Sequence, residues 1–219
     1  MYFGCLNKSD YICNYNKFVY TMIKFHDVKT TDRELVQSYT LCSDRQNCDL
    51  SFANIISWRF LYNTQIAEVD GFLVFRFYIG HHLAYMAPVW KGEWNELMSE
   101  PFAKVVRQMR DDSITLGHPF LMLGVCTNMV EILENIFPDT FYIKPDRDYF
   151  DYIYTREKLA TLAGKKLQSK RNHCNRFRKT YPNYEYRPLT KDMIPECLAV
   201  EANWRIVTKE DNNEEEELS

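Results

Sequence analysis

Two stretches of this chain concentrate side chains that can do chemistry. The first is "KPDRDYFDYIY", residues 144–154, which gathers Asp146, Arg147, Asp148, Tyr149, Asp151 and Tyr152. Carboxylates and phenols at this density can move protons, hold an amine or orient an acceptor. The same residue types also form turns and the polar face of strands, and the sequence leaves both readings open. The second is "LAGKKLQSKRNHCNRFRKTYPNYEY", residues 162–186. No Asp or Glu occurs between Lys158 and Tyr184, although the whole chain carries a net charge of -3. Charge is therefore segregated, with an acidic run between Glu210 and Glu217. The slight overall negative charge gives no general field to recruit nucleic acid.

At about 100° per residue, Leu167, Cys174, Phe177 and Tyr181 fall on one side of a helix. Lys170 lands inside that apolar stripe. Arg171 and Arg178 lie along one flank, and Lys165, Arg176 and Lys179 point away. A buried, unpaired ammonium is costly, so Lys170 must reach water, a carboxylate or a bound anion. One reading is a solvated helix whose long basic side chains cover an apolar seam. The other is a phosphate site served by Lys170, Arg171, Asn172 and Arg178, because a guanidinium grips phosphate at two points. Arg59 interrupts a second apolar face, between Ile55 and Ile56, where an ion pair with Asp148 or Asp151 is expected.

Several chemistries are excluded or disfavoured. There is no P-loop, no GxGxxG and no GxSxG. The five histidines show no HExxH spacing, and the seven cysteines include no CxxC pair. Free thiols in a reducing cytoplasm fit this better than zinc or a disulfide framework, so no metal site is expected. No apolar run approaches the ~20 residues of a membrane span, and the start lacks a signal-peptide pattern. The expected location is cytoplasmic, with peripheral membrane contact allowed.

The elements that must position these residues read as follows. "IKFHDV" (23–28) alternates as a strand, and a helix follows from Thr31 or Asp32 to about Cys42. Asp49 or Ser51 starts a second helix bearing Phe52, Ile55, Ile56 and Tyr62. Asp70-Gly71 sits between two alternating runs and predicts a hairpin, with "HLAYMAPVW" as the next strand. An apolar stripe at Trp94, Leu97, Met98, Phe102, Val105, Val106 and Met109 predicts a helix that Pro101 kinks or restarts. "FLMLGVC" reads as a strand covered on both faces, then a helix runs from Thr127 or Asn128 to Phe137. Two strand-like pieces flank Pro145. The order β-α-α-β-β-β-α-β-α-β-β predicts a mixed α/β (α+β) domain with helices on both faces of its sheet. After the basic helix, "YEYRPLT" reads as a strand and "KDMIPECLAVEANWR" as a helix. That pair resembles the chain's own opening and suggests a repeated fold whose second copy has only begun. Residues 1–21 admit two readings, an ordinary N-terminal arm or a segment upstream of a start at Met22.

The segments "CDLSFANIISWRFLYN", "LAYMAPVW", "DRDYFDYIYTREKLATLAGKK" and "SKRNHCNRFRKTYPNYEYRPL" together resemble one bacterial family. It is the family of the phosphatidylglycerol lysyltransferase C-terminal domain, related to the Fem peptidyltransferases. The resemblance covers roughly residues 22–205. It implies a tandem of two GNAT-like acyltransferase folds with mostly antiparallel sheets. It assigns 22–160 to the first fold, 161–182 to a basic connecting helix, and 183–219 to the start of a second fold with an acidic tail. Residues 1–21 would be an extension of uncertain order. The implied activity is transfer of an aminoacyl group from aminoacyl-tRNA to a lipid headgroup or a cell-wall peptide amine, with this chain an incomplete or inactive form. No cofactor is implied, and acetyl-CoA is disfavoured because its pyrophosphate loop is not visible. On this reading Lys170, Arg171, Asn172 and Arg178 meet phosphate, while Arg147, Asp148, Tyr149, Asp151 and Tyr152 orient the acceptor. No catalytic residue is assigned. The alternative is a non-catalytic module that binds RNA or anionic lipid through the basic helix. An exposed seam left by a partial second fold would favour self-association.

Overall fold

A computed structural model describes residues 2–6, 22–43, 45 and 47–217. The chain divides into a unit ending at Ile153 and a unit beginning at Tyr154, somewhat before the boundary expected at 160. Of residues 1–21, only Tyr2–Leu6 are described, and they form strand β1. The question of an upstream start otherwise lies outside the described residues.

The first unit is built on a seven-stranded sheet. Its strands are β1 (Tyr2–Leu6), β2 (His26–Asp27), β3 (Gln65–Val69), β4 (Phe72–Ile79), β5 (His82–Met86), β6 (Leu121–Val125) and β7 (Phe141–Pro145). Their order across the sheet is β2-β3-β4-β5-β6-β1-β7. All neighbouring strands are antiparallel except β5 and β6, which run parallel with Tyr85 opposite Met122 and Met86 opposite Leu123. The hairpin at Asp70-Gly71 is present. Both residues take positive φ, 48° and 82°, as a twisted two-residue turn requires.

A parallel neighbour demands a crossover, and helix α3 (Ser99–Thr115) supplies it. Pro101 sits in its first turn, where a missing N–H costs nothing, so the helix starts there rather than kinking. Phe102, Val105, Val106 and Met109 bury one stripe of α3 against the sheet, joined by Met129 and Leu133 of α4 (Thr127–Ile136). The opposite sheet face packs on α1 (Arg33–Thr40) and α2 (Phe52–Tyr62) through Val36, Tyr39 and Ile55. The two-residue period of the strands sorts the layers. Phe72 and Val74 of β4 face α3, while Leu73 and Phe75 face α1 and α2. This mixed, mostly antiparallel sheet with helices on both faces is consistent with the GNAT-like fold expected.

One polar cluster ties α3 to the sheet. Asp112 lies on α3 and is buried. It accepts hydrogen bonds from Arg76 of β4 at 2.8 and 3.0 Å and from the Tyr85 hydroxyl of β5 at 2.6 Å. Arg76 also donates to Gln65 of β3 and stacks over Phe25 at 4.2 Å. Burial, then the hydrogen bond to Asp112, raises the Tyr85 pKa, so this phenol keeps its proton and acts as a donor.

The second unit is helical. It comprises α5 (Arg156–Thr161), α6 (Gln168–Thr180) and α7 (Ile194–Glu217). "YEYRPLT" is not a strand, contrary to expectation. A strand exists by exchanging backbone hydrogen bonds with a neighbour, and residues 184–190 pair with no described strand. The second strand-like piece after Pro145 is likewise irregular. The α7 backbone stays helical through the acidic run, in keeping with the good helix propensity of Glu.

Asp112→Ala is expected to lower the unfolding free energy by about 3–5 kcal/mol, because it strands the largely buried Arg76 and the buried Tyr85 hydroxyl. Lys104→Ala removes the exposed 2.7 Å pair with Asp70 and is expected to cost no more than about 1 kcal/mol. Urea denaturation followed by circular dichroism compares the two. Equal losses would show that the Asp112 cluster does not hold α3 to the sheet.

Candidate functional site

The first unit contains a cavity of about 190 Å³ on the α1/α2 face of the sheet. Its floor is β4, β5 and β6. Phe75, Phe77 and Ile79 alternate along β4, and Met86, Leu123 and Gly124 continue it across the parallel junction. Ile55, Trp58 and Tyr62 of α2 form one wall. Asp49, Asn54, Thr64 and Tyr149 are its polar members. No Lys, Arg or His lines it among the described residues.

Two local devices shape this space. The first is a bulge in β6. Tyr2 pairs with Val125 and Gly4 with Met122, so one residue of β1 opposes Leu123 and Gly124 together. Gly124 takes φ of 72°, a conformation that a Cβ disfavours. Bulges of this kind re-aim side chains and recur beside active sites. The second is the capped start of α2. The Ser51 side chain accepts from the Asn54 backbone at 3.3 Å, the Asn47 side chain accepts from the Asp49 backbone at 2.8 Å, and the Asn54 amide donates to the Cys48 carbonyl at 3.0 Å. Ser51 is thus the cap, and the Asp49 side chain is left to face the cavity.

Beside Asp49 lies a second carboxylate. The Cys48 thiol donates to Asp151 Oδ1 at 3.0 Å and its backbone N–H donates to Asp151 Oδ2 at 3.2 Å. The hydrogen bond to Asp151, then burial, pushes the Cys48 pKa up to about 11, so the group is a thiol at neutral pH and no nucleophile. Burial, then the charge of Asp151, raises the Asp49 pKa above the ordinary carboxylate value. Neither carboxylate has a basic partner among the described residues.

The acceptor-orienting residues expected from the sequence are distributed unevenly. Tyr149 lines the cavity and Asp151 holds the loop that carries Asp49. Arg147, Asp148 and Tyr152 are exposed and line no part of it. Arg59 makes no ion pair with Asp148 or Asp151. It donates to the Ile56 carbonyl and lies 3.9 Å from the Phe60 ring, one residue along its own helix. The phosphate candidates all belong to the second unit. Lys170 is exposed. Arg171 donates to the carbonyls of Leu162 and Gly164 and to the Gln168 side chain, closing the loop before α6. Asn172 accepts from Gln168 at 2.9 Å and Arg178 donates to Asn175 at 3.4 Å. Sequence reasoning missed Asp49, Trp58 and the whole cavity floor. The available signals were the all-round apolar "FANIISWRFLY" and the unbroken "FLVF" of β4, both more apolar than one packed face requires.

Over residues 42–219 the chain matches the family described as phosphatidylglycerol lysyltransferase, C-terminal. The chain belongs to this family. A crystal structure of a conserved protein of unknown function from Bacteroides thetaiotaomicron VPI-5482 is similar over 87% of this chain, with 52% identity and a TM-score of 0.74. The match spans 62% of that protein's length. No curated protein matches. Among the described residues of this lysyltransferase-family chain, no helix is long and apolar enough to cross a membrane.

Replacing Asp151 with Ala is expected to raise the alkylation rate of Cys48 at about pH 8 by roughly tenfold or more, because losing the carboxylate lowers the thiol pKa. Mass spectrometry of the Cys48 peptide gives the rate. An unchanged rate would mean that Asp151 does not hold the proton on sulfur.

Proposed function

We propose that this chain is an aminoacyltransferase-like protein of the phosphatidylglycerol lysyltransferase/Fem type. It would take an aminoacyl group from aminoacyl-tRNA and pass it to a lipid headgroup or a cell-wall peptide amine. The observation that supports this best is the cavity at the bulged β5–β6 junction, in a GNAT-like unit of a lysyltransferase-family chain. The acceptor oxygen or nitrogen attacks the ester carbonyl. The bond to the tRNA ribose oxygen breaks, and the proton lost by the nucleophile returns to that oxygen. Such a step needs placement and charge stabilisation rather than a covalent enzyme intermediate. The thiol state of Cys48 agrees with that. Tyr149 and Asp151 are the acceptor-side candidates beside the cavity, and Lys170, Arg171, Asn172 and Arg178 remain the candidates for phosphate.

A second reading is an RNA-binding module without catalysis. It is favoured by the basic, acid-free α6 and the exposed rings that follow it. Phe177 lies 5.1 Å from both Tyr181 and Tyr184, centroid to centroid. Charge beside aromatic surface suits single-stranded nucleic acid.

Transfer from charged tRNA to lipid and peptide acceptors tests the first reading, using this chain and the longer Bacteroides protein in parallel. Product formation is expected with the longer protein, and Tyr149→Ala at the corresponding position is expected to lower kcat/KM at least about tenfold. Full activity in that variant would remove the cavity from the reaction. For the second reading, the logarithm of RNA affinity is expected to fall linearly with the logarithm of salt. Arg176→Ala with Lys179→Ala is expected to reduce the slope by about 0.7 for each phosphate that the variant no longer neutralises. A flat salt response would end the RNA reading.

A further inference from the structure

We infer that the cavity of the first unit selects a primary ammonium group carried on a compact apolar body, and that it disfavours a second, distal ammonium. The inference rests on the proposed function only for its biological meaning: the aminoacyl group handled would be an apolar one, of the leucyl or phenylalanyl kind, rather than lysyl.

The size comes first. A cavity of about 190 Å³ is of the order that admits a single benzene-sized group. The interior is hydrocarbon. Phe75 is 1% exposed and Leu123 is 7% exposed, and Phe77, Ile79 and Met86 continue the same surface. A ligand's apolar body gains free energy by filling it. A second ammonium would meet only the uncharged Asn54 and Thr64 there, with no second lining carboxylate to offset its lost hydration. The polar end is different. Tyr149 is 52% exposed and Asp49 is half-buried, so both can be reached from solvent, as can Trp58 at 53%. Asp49 is a carboxylate with no basic partner among the described residues, and the charge of Asp151 stands close enough to disfavour its ionisation. One bound cation relieves both effects. Trp58, Tyr62 and Tyr149 line the same space, and aromatic rings attract a cation through their quadrupoles. An anion finds no counter-charge here, because no basic residue lines the cavity among the described residues.

The experiment is titration of the full chain with small probes, read by calorimetry and by NMR shifts of the Trp58 indole. 2-Phenylethylamine is expected to bind at least about tenfold tighter than 2-phenylethanol, the difference of one charge-assisted contact. Asp49→Asn, nearly isosteric, is expected to erase that preference while leaving the alcohol's affinity unchanged. Leucinamide is expected to bind at least about tenfold tighter than lysinamide. Equal binding of amine and alcohol to the unmodified chain, no saturable binding of either, or lysinamide matching leucinamide would each overturn the inference. The unmodified chain decides these even if Asp49→Asn does not fold. The probes require no transfer chemistry. Amine selectivity in a chain that transfers nothing would count against the proposed function alone, and transfer without amine selectivity would count against this inference alone.

Discussion

The structure of the first unit depends on one constraint, the parallel pairing of β5 with β6 inside a sheet whose other described pairs are antiparallel. A hairpin cannot join parallel neighbours, so the chain must leave the sheet and return through α3. The helix then has to be held at a fixed height over the strands. Apolar packing alone is non-directional. Asp112 supplies direction, because its two oxygens must meet Arg76 and Tyr85 while all three are shielded from water. The same junction leaves the opposite face thinly covered. α1 and α2 pack over β3 and β4, and the cavity lies beside that cover, over β4, β5 and β6.

That geometry sets the chemistry available. A floor of Phe, Ile, Leu and Met excludes anions and favours hydrocarbon. One carboxylate, Asp49, gives the cavity lining its charge. The bulge at Leu123 and Gly124 forms against β1 and lies where Leu123 pairs with Met86 at the end of β5. Cys48, the residue type most readily taken for a nucleophile, is instead a proton donor that fixes Asp151. The site therefore suits binding and placement of a reactive group supplied by a substrate, and it does not itself offer a thiolate.

The second unit shows how a basic sequence can be put to structural use. Arg171 commits its guanidinium to the Leu162 and Gly164 carbonyls and to Gln168. Those carbonyls belong to the turn between α5 and α6, where Leu162 and Gly164 both take positive φ. Lys170, Arg176, Arg178 and Lys179 remain exposed, so any anion that α6 binds must be met mainly by these charges.

Local order was legible in the sequence because it depends on neighbours in the chain. The Asp70-Gly71 turn, a helix start at Asp49 or Ser51, the apolar stripe of α3 and the run of β6 all follow from periods and caps within a few residues. The family resemblance rested on the same kind of local signal. The tertiary structure alone decided the site. Asp49, Trp58, Phe75, Met86, Leu123 and Tyr149 are far apart in sequence and meet only through strand register and the crossover of α3. It also decided the fate of single residues. Arg59 stacks on Phe60 rather than pairing with Asp148 or Asp151, and "YEYRPLT" stays irregular because no described strand lies beside it. A residue's type limits the partners it can accept, but only the folded chain determines which partner arrives.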